Sequence, residues 1–314
     1  MRPESLHRDH RHRVTLFRGG GDGQHAVVCF EHGRDRMAGF GPAAAPRFAA
    51  RLGIDALMVQ TARRDWFLSD RSAALAAALE QATRHYAEVT ATGFSMGGYA
   101  ALLYSAACRA VRVMAVSPQY CIDPRLAPFD PGRHGKFARL GRPMPPPEAW
   151  GNPLLRGALI YDPAIRADRG HAALIRAGFA RLTPIALPFG GHPATGAVAA
   201  AEGGIGRMAE MVVLDRLDGG LVRQMHRDAR RRADTYRLNL ARAALARHPA
   251  RALAELRALA GSAPPPIRFE AGLLLLERGD EGAAMQLSHL LEEMTAVPPA
   301  WQRRLNRALR AAGV

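Results

Sequence analysis

The chain has 314 residues, of which 48% are hydrophobic, and this length fits one large globular domain or two smaller ones. Its formal net charge is +15, and the basic residues are almost all arginines spread along the chain. No aromatic residues are interleaved with them and no nucleic-acid motif accompanies them, so we expect no nucleic-acid binding. The three cysteines are too few for a disulfide framework and favour a cytoplasmic location. We also expect no signal peptide and no membrane span.

Short apolar runs alternate with helical patterns over residues 13–215, after a polar start at 1–12 that is predicted to be disordered. The predicted strands are Val14–Phe17, Ala26–Phe30, Gly53–Val59, Ala87–Thr92, Val111–Val116, Ala158–Tyr161 and Ile185–Pro188. The predicted helices between them are 46–52, Ser69–Tyr86, Tyr99–Cys108, Asp168–Phe179 and 194–202. This alternation predicts an α/β domain with a mostly parallel sheet and helices on both faces.

Two segments depart from this rhythm. Residues 118–153 are rich in proline and glycine and predict an excursion from the sheet without long regular elements. Residues 216–314 predict an all-helical region, with helices at Leu221–Arg247, Arg251–Leu259, Phe269–Glu277, Glu281–Glu293 and Trp301–Ala311. This region is either an appendage that packs on the sheet domain or on a second subunit, or a set of tetratricopeptide-like hairpins that lack a clear 34-residue period.

The most informative motif is the G-x-S-x-G pattern at Gly93–Gly97, between a predicted strand and a predicted helix. At such a turn a serine takes a strained backbone conformation, and small neighbours avoid collisions with the adjoining elements. The hydroxyl of Ser95 would then lie above the sheet, beside the amides of a helix N-terminus. A plain connection or a phosphate-binding turn is the alternative interpretation of the same residues.

Two further polar groups follow predicted strands. Asp162 comes directly after one strand, and His192 follows the next within a Gly-Gly-His-Pro turn. The carboxyl ends of parallel strands share one edge of a sheet, so we expect both side chains near Ser95. Asp168 is the rival acid, although it also suits a helix N-cap. An exposed histidine and an aspartate that merely begins a turn are the structural alternatives.

The order Ser95, Asp162, His192 resembles that of the α/β-hydrolase superfamily, and the resemblance covers about residues 13–215. It implies Ser95 as nucleophile, His192 as general base and then acid, and Asp162 as the carboxylate that orients the imidazole. It further implies an oxyanion hole made by the amide of Met96 and that of Glu31 or His32. The acidic Glu31 departs from the usual pattern and puts the second donor in doubt.

The loop after the third predicted strand offers a substrate-binding pair. Arg64 and Trp66 would suit an anionic or sugar-like substrate, and a salt bridge at the rim with a packed tryptophan is the alternative. No metal-ligand spacing and no phosphate-binding loop of the Walker type is present, so we expect no metal and no cofactor.

The sequence thus predicts a serine esterase that cleaves a small-molecule or glycan ester, either a carboxylic ester or an acetylated carbohydrate, through an acyl-enzyme. The alternative is a non-catalytic hydrolase-like adaptor whose C-terminal helices bind a protein partner.

Overall fold

The structure is a computed structural model that describes residues 2–34 and 37–312, and a sheet of eight strands forms its centre. The strands in chain order are β1 Pro3–Arg8, β2 His12–Phe17, β3 His25–Phe30, β4 Asp55–Thr61, β5 Glu88–Phe94, β6 Ala110–Val116, β7 Arg156–Tyr161 and β8 Leu182–Ala186. Across the sheet their order is β1-β2-β4-β3-β5-β6-β7-β8. The pairs β1/β2 and β2/β4 are antiparallel, and every other pair is parallel.

Helices flank this sheet and form the C-terminal part of the chain. Those before residue 200 are α1 Arg47–Leu52, α2 Ser72–Thr83, α3 Met96–Leu103, α4 Pro131–Leu140, α5 Arg166–Gly178 and α6 Gly196–Ala199. Those after it are α7 Gly204–Val213, α8 Gly219–Ala229, α9 Asp234–Ala244, α10 Pro249–Ser262, α11 Pro265–Leu276, α12 Ala283–Glu292 and α13 Pro299–Ala312. Single 3-10 turns occur at Pro147–Ala149 and Arg230–Arg232.

Apolar side chains cover both faces of the sheet, which confirms the predicted fold class. On one face, Leu75 of α2, Leu102 of α3 and Ile175 of α5 join a single buried cluster. On the other face, helices α1, α6, α7 and α8 contribute to a second cluster that includes Val212 and Val222. Strands buried on both faces are typical of parallel sheets covered by helices. Every strand and helix predicted over residues 13–202 is present, with shifted ends.

The N-terminal segment differs from the prediction. The described residues among 1–12 are not disordered, since Pro3–Arg8 forms β1 along the edge of the sheet and pairs with β2. The side chains of β1 are almost all exposed, whereas β2 is buried. An edge strand of this kind is held by its ladder of backbone hydrogen bonds, which leaves no hydrophobic pattern in the sequence.

The single helix predicted over Leu221–Arg247 is in fact two. The chain leaves α8 through the 3-10 turn, and Ala233 takes an extended conformation (φ −91°, ψ 108°) before α9 begins. The break lets the two helices bury different faces, because Val222 of α8 joins the core of the sheet domain while Leu238 of α9 joins a third core. That third core is formed by α9 to α13, in which α9 to α12 pack in sequence and α13 packs against α11.

Within the Pro-rich excursion a ten-residue helix, α4, forms with Pro131 in its first turn, where the missing amide hydrogen is tolerated. It has no buried residue along its length. In the described part of the chain, no helix combines the length and the apolar character that a membrane crossing demands.

Candidate active site

Ser95 lies between β5 and α3 in a backbone conformation that L-residues rarely adopt, with φ 52° and ψ −117°. Such strain persists only where the surroundings enforce it, and it collects at functional sites. Here the amide of Ser95 donates to the carbonyl of Val116 on the neighbouring strand (2.8 Å). All eight residues of α3 are buried, so the helix that follows the turn is held in the core.

Two glycines make the turn sterically feasible, as the motif predicts. A Cβ atom at Gly93 would lie 2.1 Å from the carbonyl oxygen of Gly97. A Cβ atom at Gly97 would lie 2.4 Å from the carbonyl oxygen of Phe30, at the end of β3. Both distances are far below van der Waals contact, so larger residues would push the strand, the helix and the β3 loop apart.

The imidazole of His192 joins the serine to a buried carboxylate. Its Nε2 lies 2.8 Å from Ser95 Oγ, and its Nδ1 lies 2.8 Å from Asp168 Oδ1. The side chain of Asp168, in the first turn of α5, is 2% exposed, and that of His192 is 25% exposed. A neutral ring in this setting donates from Nδ1 to the carboxylate and keeps the Nε2 lone pair for the hydroxyl.

The prediction that Asp162 contacts His192 is wrong. Asp162 is fully buried, and its carboxylate accepts hydrogen bonds from the amides of Ala164, Phe189 and Gly191 (2.9–3.0 Å). Burial raises its pKa above the ordinary value, although the three amides oppose that shift. The residue therefore fixes the loop that carries the histidine, while Asp168, in the first turn of the following helix, reaches the ring.

The predicted oxyanion donors are only partly available. The amide of Glu31 donates to the carbonyl of Val59 (2.9 Å), which extends the pairing of β3 with β4, so Glu31 cannot supply the second donor. Its carboxylate forms an ion pair with Arg34 (3.0 Å), which offsets the acidic charge that the sequence places here. Met96 is the first residue of α3, and His32 follows directly in the β3 loop that Gly97 contacts.

A cavity of about 650 Å³ lies beside this loop, on the face of the sheet covered by α1 and α7. Its lining includes Phe94, which precedes the serine, together with His32 and the apolar side chains of Met58, Met114 and Ile205. A volume of this size suits a small-molecule ligand.

Trp66, predicted as a substrate-binding residue, is 1% exposed, and its indole donates to the side-chain carbonyl of Gln119 (2.9 Å). This agrees with the alternative of a packed tryptophan. The amide nitrogen of Gln119 in turn donates to Ser95 Oγ (3.1 Å). Arg64 lines a separate cavity. No sequence motif singles out Gln119, although its place just after β6 is a usable signal.

An arginine from the excursion also reaches the histidine. Arg133 of α4 places Nη2 2.9 Å from His192 Nε2, and its Nη1 donates to both oxygens of Asp130 (2.9 and 3.0 Å). Asp130 Oδ2 also lies 3.0 Å from Nε2 of the buried His171. Burial would raise the pKa of Asp130, but the hydrogen bond from His171 and the charge of Arg133 hold it below the ordinary value. No sequence signal pointed to Arg133, because nothing in the excursion repeats a known motif.

Within residues 2–34 and 37–312, no three His, Cys, Asp or Glu side chains lie close enough together to hold a metal ion. Cys29, Cys108 and Cys121 are all buried and free. Burial raises the pKa of the Cys29 thiol to about 12, which disfavours the thiolate that a nucleophile needs.

No protein-family model matches the chain, and no curated protein matches it. Among solved structures it is similar to Est1E from Butyrivibrio proteoclasticus (13% identity, TM-score 0.40, 59% of this chain and 88% of the other). It is also similar to a Pyrococcus furiosus esterase (12% identity, TM-score 0.42, 67% of this chain and 90% of the other). A third similar structure is Thermogutta terrifontis esterase 2 phosphonylated by cyclosarin (14% identity, TM-score 0.36, 59% of this chain and 82% of the other).

Proposed function

We propose that this protein is a serine hydrolase that cleaves esters through an acyl-enzyme. One observation carries the proposal: Ser95, His192 and Asp168 are joined by two contacts of 2.8 Å at a strained turn between a strand and a helix. A serine hydroxyl is a poor nucleophile until a base within hydrogen-bond reach takes its proton. An imidazole held by a buried carboxylate meets that need near neutral pH.

In the first half-reaction, Ser95 Oγ attacks the ester carbonyl carbon while its proton moves to His192 Nε2. The resulting imidazolium is stabilised by Asp168. The tetrahedral intermediate collapses, the bond from carbon to the alcohol oxygen breaks, and Nε2 gives its proton to that oxygen. In the second half-reaction, water attacks the acyl carbon and loses a proton to Nε2. Collapse then releases the acid and returns the proton to Ser95.

For the developing oxyanion we propose the amides of Met96 and His32 as donors. Met96 opens α3, where backbone amides point out of the helix and its dipole favours negative charge. His32 follows Glu31, whose own amide is engaged with Val59. We assign the acyl group to the cavity of about 650 Å³, because Phe94 and His32 both line it.

The test is pre-steady-state hydrolysis of para-nitrophenyl acetate and butyrate. We expect a burst of nitrophenol equal to the enzyme concentration in the wild type and none in Ser95→Ala. His192→Ala should lower kcat/KM by roughly 10⁴-fold or more. An Arg125→Ala variant is the matched control, since this exposed side chain pairs only with Asp123 of the same excursion among the contacts described. Turnover that survives in Ser95→Ala would overturn the proposal.

Acetylated carbohydrates remain within the proposed substrate range, and a glycan ester is tested by adding acetylated xylan to the same assays. A folded wild type without a burst on any ester would favour the adaptor alternative, in which the C-terminal helices bind a protein partner.

A further inference from the structure

Arg133 places a guanidinium beside the imidazole of His192. The nearest atoms to its Nη2 include His192 Nε2 at 2.9 Å, which is the same nitrogen that lies 2.8 Å from Ser95 Oγ. A neutral imidazole has one lone pair at Nε2, so the guanidinium and the hydroxyl compete for a single acceptor. Arg133 therefore competes for the Nε2 lone pair that His192 needs as general base, until another group accepts the hydrogen bond of the guanidinium.

The position of the guanidinium is built into the protein. Its other nitrogen is fixed by both oxygens of Asp130, whose side chain is 4% exposed, and Asp130 is fixed by His171, whose side chain is 1% exposed. The backbone amide of Tyr120 lies within hydrogen-bond distance of His171 Nδ1 (3.2 Å). This series of contacts runs from the arginine into the body of the domain, so Arg133 is held in place although α4 itself is exposed.

We propose that the substrate is an ester whose alcohol part carries an anionic group, a carboxylate or a phosphate, and that Arg133 binds that anion. This inference rests on the proposed hydrolase function and specifies its substrate class. His192 Nε2 is the atom that protonates the leaving oxygen, so a group beside it lies on the alcohol side of the scissile bond. A planar guanidinium suits both kinds of anion.

A cation-rich cavity extends from the same helix. It has about 410 Å³, and among the described residues its lining contains six cations and one carboxylate, Asp65. The cations are Arg11, Arg63, Arg64, Lys136, Arg139 and Arg142. Lys136 lies three residues after Arg133, and therefore about one turn further along α4. The guanidinium groups of Arg63, Arg139 and Arg142 in this lining attract an anionic alcohol that continues beyond Arg133.

The anion also frees the catalytic base. When it accepts the hydrogen bonds of Arg133, the lone pair of His192 Nε2 is left to Ser95. A neutral ester has no anion to accept the hydrogen bonds of Arg133. It therefore reacts while the guanidinium still competes with Ser95 Oγ for the lone pair of His192 Nε2. Removing Arg133 should therefore lower kcat/KM for anionic esters and raise it for neutral esters. Loss of a purely structural residue would not change the two values in opposite directions.

The experiment compares meta-acetoxybenzoate with its neutral methyl ester, and meta-acetoxyphenyl phosphate as the second anion. In the wild type we expect kcat/KM for at least one anion to exceed that of the neutral ester by about 10-fold or more. Arg133→Met should abolish this preference and raise kcat/KM for the neutral ester, while Arg133→Lys should keep part of the preference. Arg125→Met is the matched control and should keep the wild-type preference, because the Arg125 side chain is 84% exposed and pairs with Asp123.

Binding to Ser95→Ala separates this inference from the hydrolase proposal. By titration calorimetry, the anionic ester should bind more tightly than the methyl ester, and Ser95→Ala/Arg133→Met should lose that difference, whether or not the wild type turns over. Equal affinity for both esters, or an anion preference that persists without Arg133, would overturn the inference. Thermal unfolding of each variant shows whether the fold is retained, and Arg133→Lys preserves the charge beside Asp130 if Arg133→Met unfolds.

Discussion

Asp168 Oδ1 lies 2.8 Å from His192 Nδ1, and this pair joins the first turn of α5 to the loop after β8. The contact identifies the carboxylate that faces the ring, and it leaves Asp162 to the backbone of the loop. Replacing each aspartate by asparagine should therefore have a different effect, on activity for Asp168 and on stability for Asp162.

Asp168→Asn should lower kcat/KM by roughly 10³- to 10⁴-fold with little loss of thermal stability, because the ring loses its preferred tautomer. Asp162→Asn should mainly destabilise the fold. One of its carboxylate oxygens becomes an NH₂ group, so at least one of the three loop amides loses its acceptor. Steady-state kinetics and thermal unfolding of both variants check this, and the reverse assignment of effects would contradict it.

Gln119→Leu should reduce kcat/KM by about 10-fold, since Ser95 Oγ loses a donor at 3.1 Å that helps to hold its rotamer. Trp66→Phe removes the indole donor to Gln119 and should have a smaller effect in the same direction. Kinetics on one ester at saturating and limiting concentrations separate kcat from KM. The prediction fails if Trp66→Phe is as active as the wild type and Gln119→Leu lowers stability without lowering kcat/KM.

Ile205→Trp should shift the acyl preference toward shorter chains. Ile205 lies on α7 in the wall of the cavity that we assign to the acyl group, and a larger side chain would fill part of its volume of about 650 Å³. The ratio of kcat/KM for para-nitrophenyl octanoate to that for the acetate measures this shift. An unchanged ratio would place the acyl group elsewhere.

The C-terminal helices should contribute to activity through the histidine loop. Tyr236 of α9 packs edge to face against Phe189 (5.9 Å between ring centroids), three residues before His192. Tyr236→Ala should therefore lower both stability and kcat. Trp301→Ala is the control, because this residue stacks on Phe269 within the third core, and it should lower stability without changing kcat of the folded enzyme.

Asp65 should make stability depend on pH. Burial raises its pKa to about 6 against the ordinary 3.8, and hydrogen bonds from Thr61 and Phe67 only partly oppose this. The folded state then holds a proton that the unfolded state has lost. The group's contribution is therefore most favourable below pH 4 and declines until about pH 6.

The measurement is the difference in unfolding free energy between the wild type and Asp65→Asn as pH rises. That difference should fall by about 3 kcal/mol in total over this range. His12, whose own pKa burial lowers to about 4, is present in both proteins and cancels in the comparison. A flat difference would contradict the assignment.

The parts of the fold that follow from local pattern could be predicted from the sequence. Buried strands such as β3 are continuous apolar runs, and the elbow at Ser95 has a motif with a steric cause. β1 could not be predicted because its side chains are exposed, and its backbone pairing leaves no trace in composition. The break at Ala233 was missed because both sides of it have strong helical propensity.

The site was predictable where chain order and strand ends determine it, which holds for Ser95 and His192. The acid was not, because Asp162 and Asp168 are six residues apart and only the direction of α5 decides which one reaches the ring. Arg133 depends on how the Pro-rich excursion folds back over the strand ends, a long-range packing event with no local signature. The choice between Glu31 and His32 as second donor depends on the use of the Glu31 amide by β4, which is visible only in three dimensions.

The most direct measurement is intact-mass analysis after treatment with a fluorophosphonate, followed by peptide mapping. We predict a single phosphonyl adduct on Ser95, no adduct in Ser95→Ala, and labelling slowed by orders of magnitude in His192→Ala and Asp168→Asn. A folded wild type that stays unlabelled, or an adduct on another residue, would contradict an activated serine at this site.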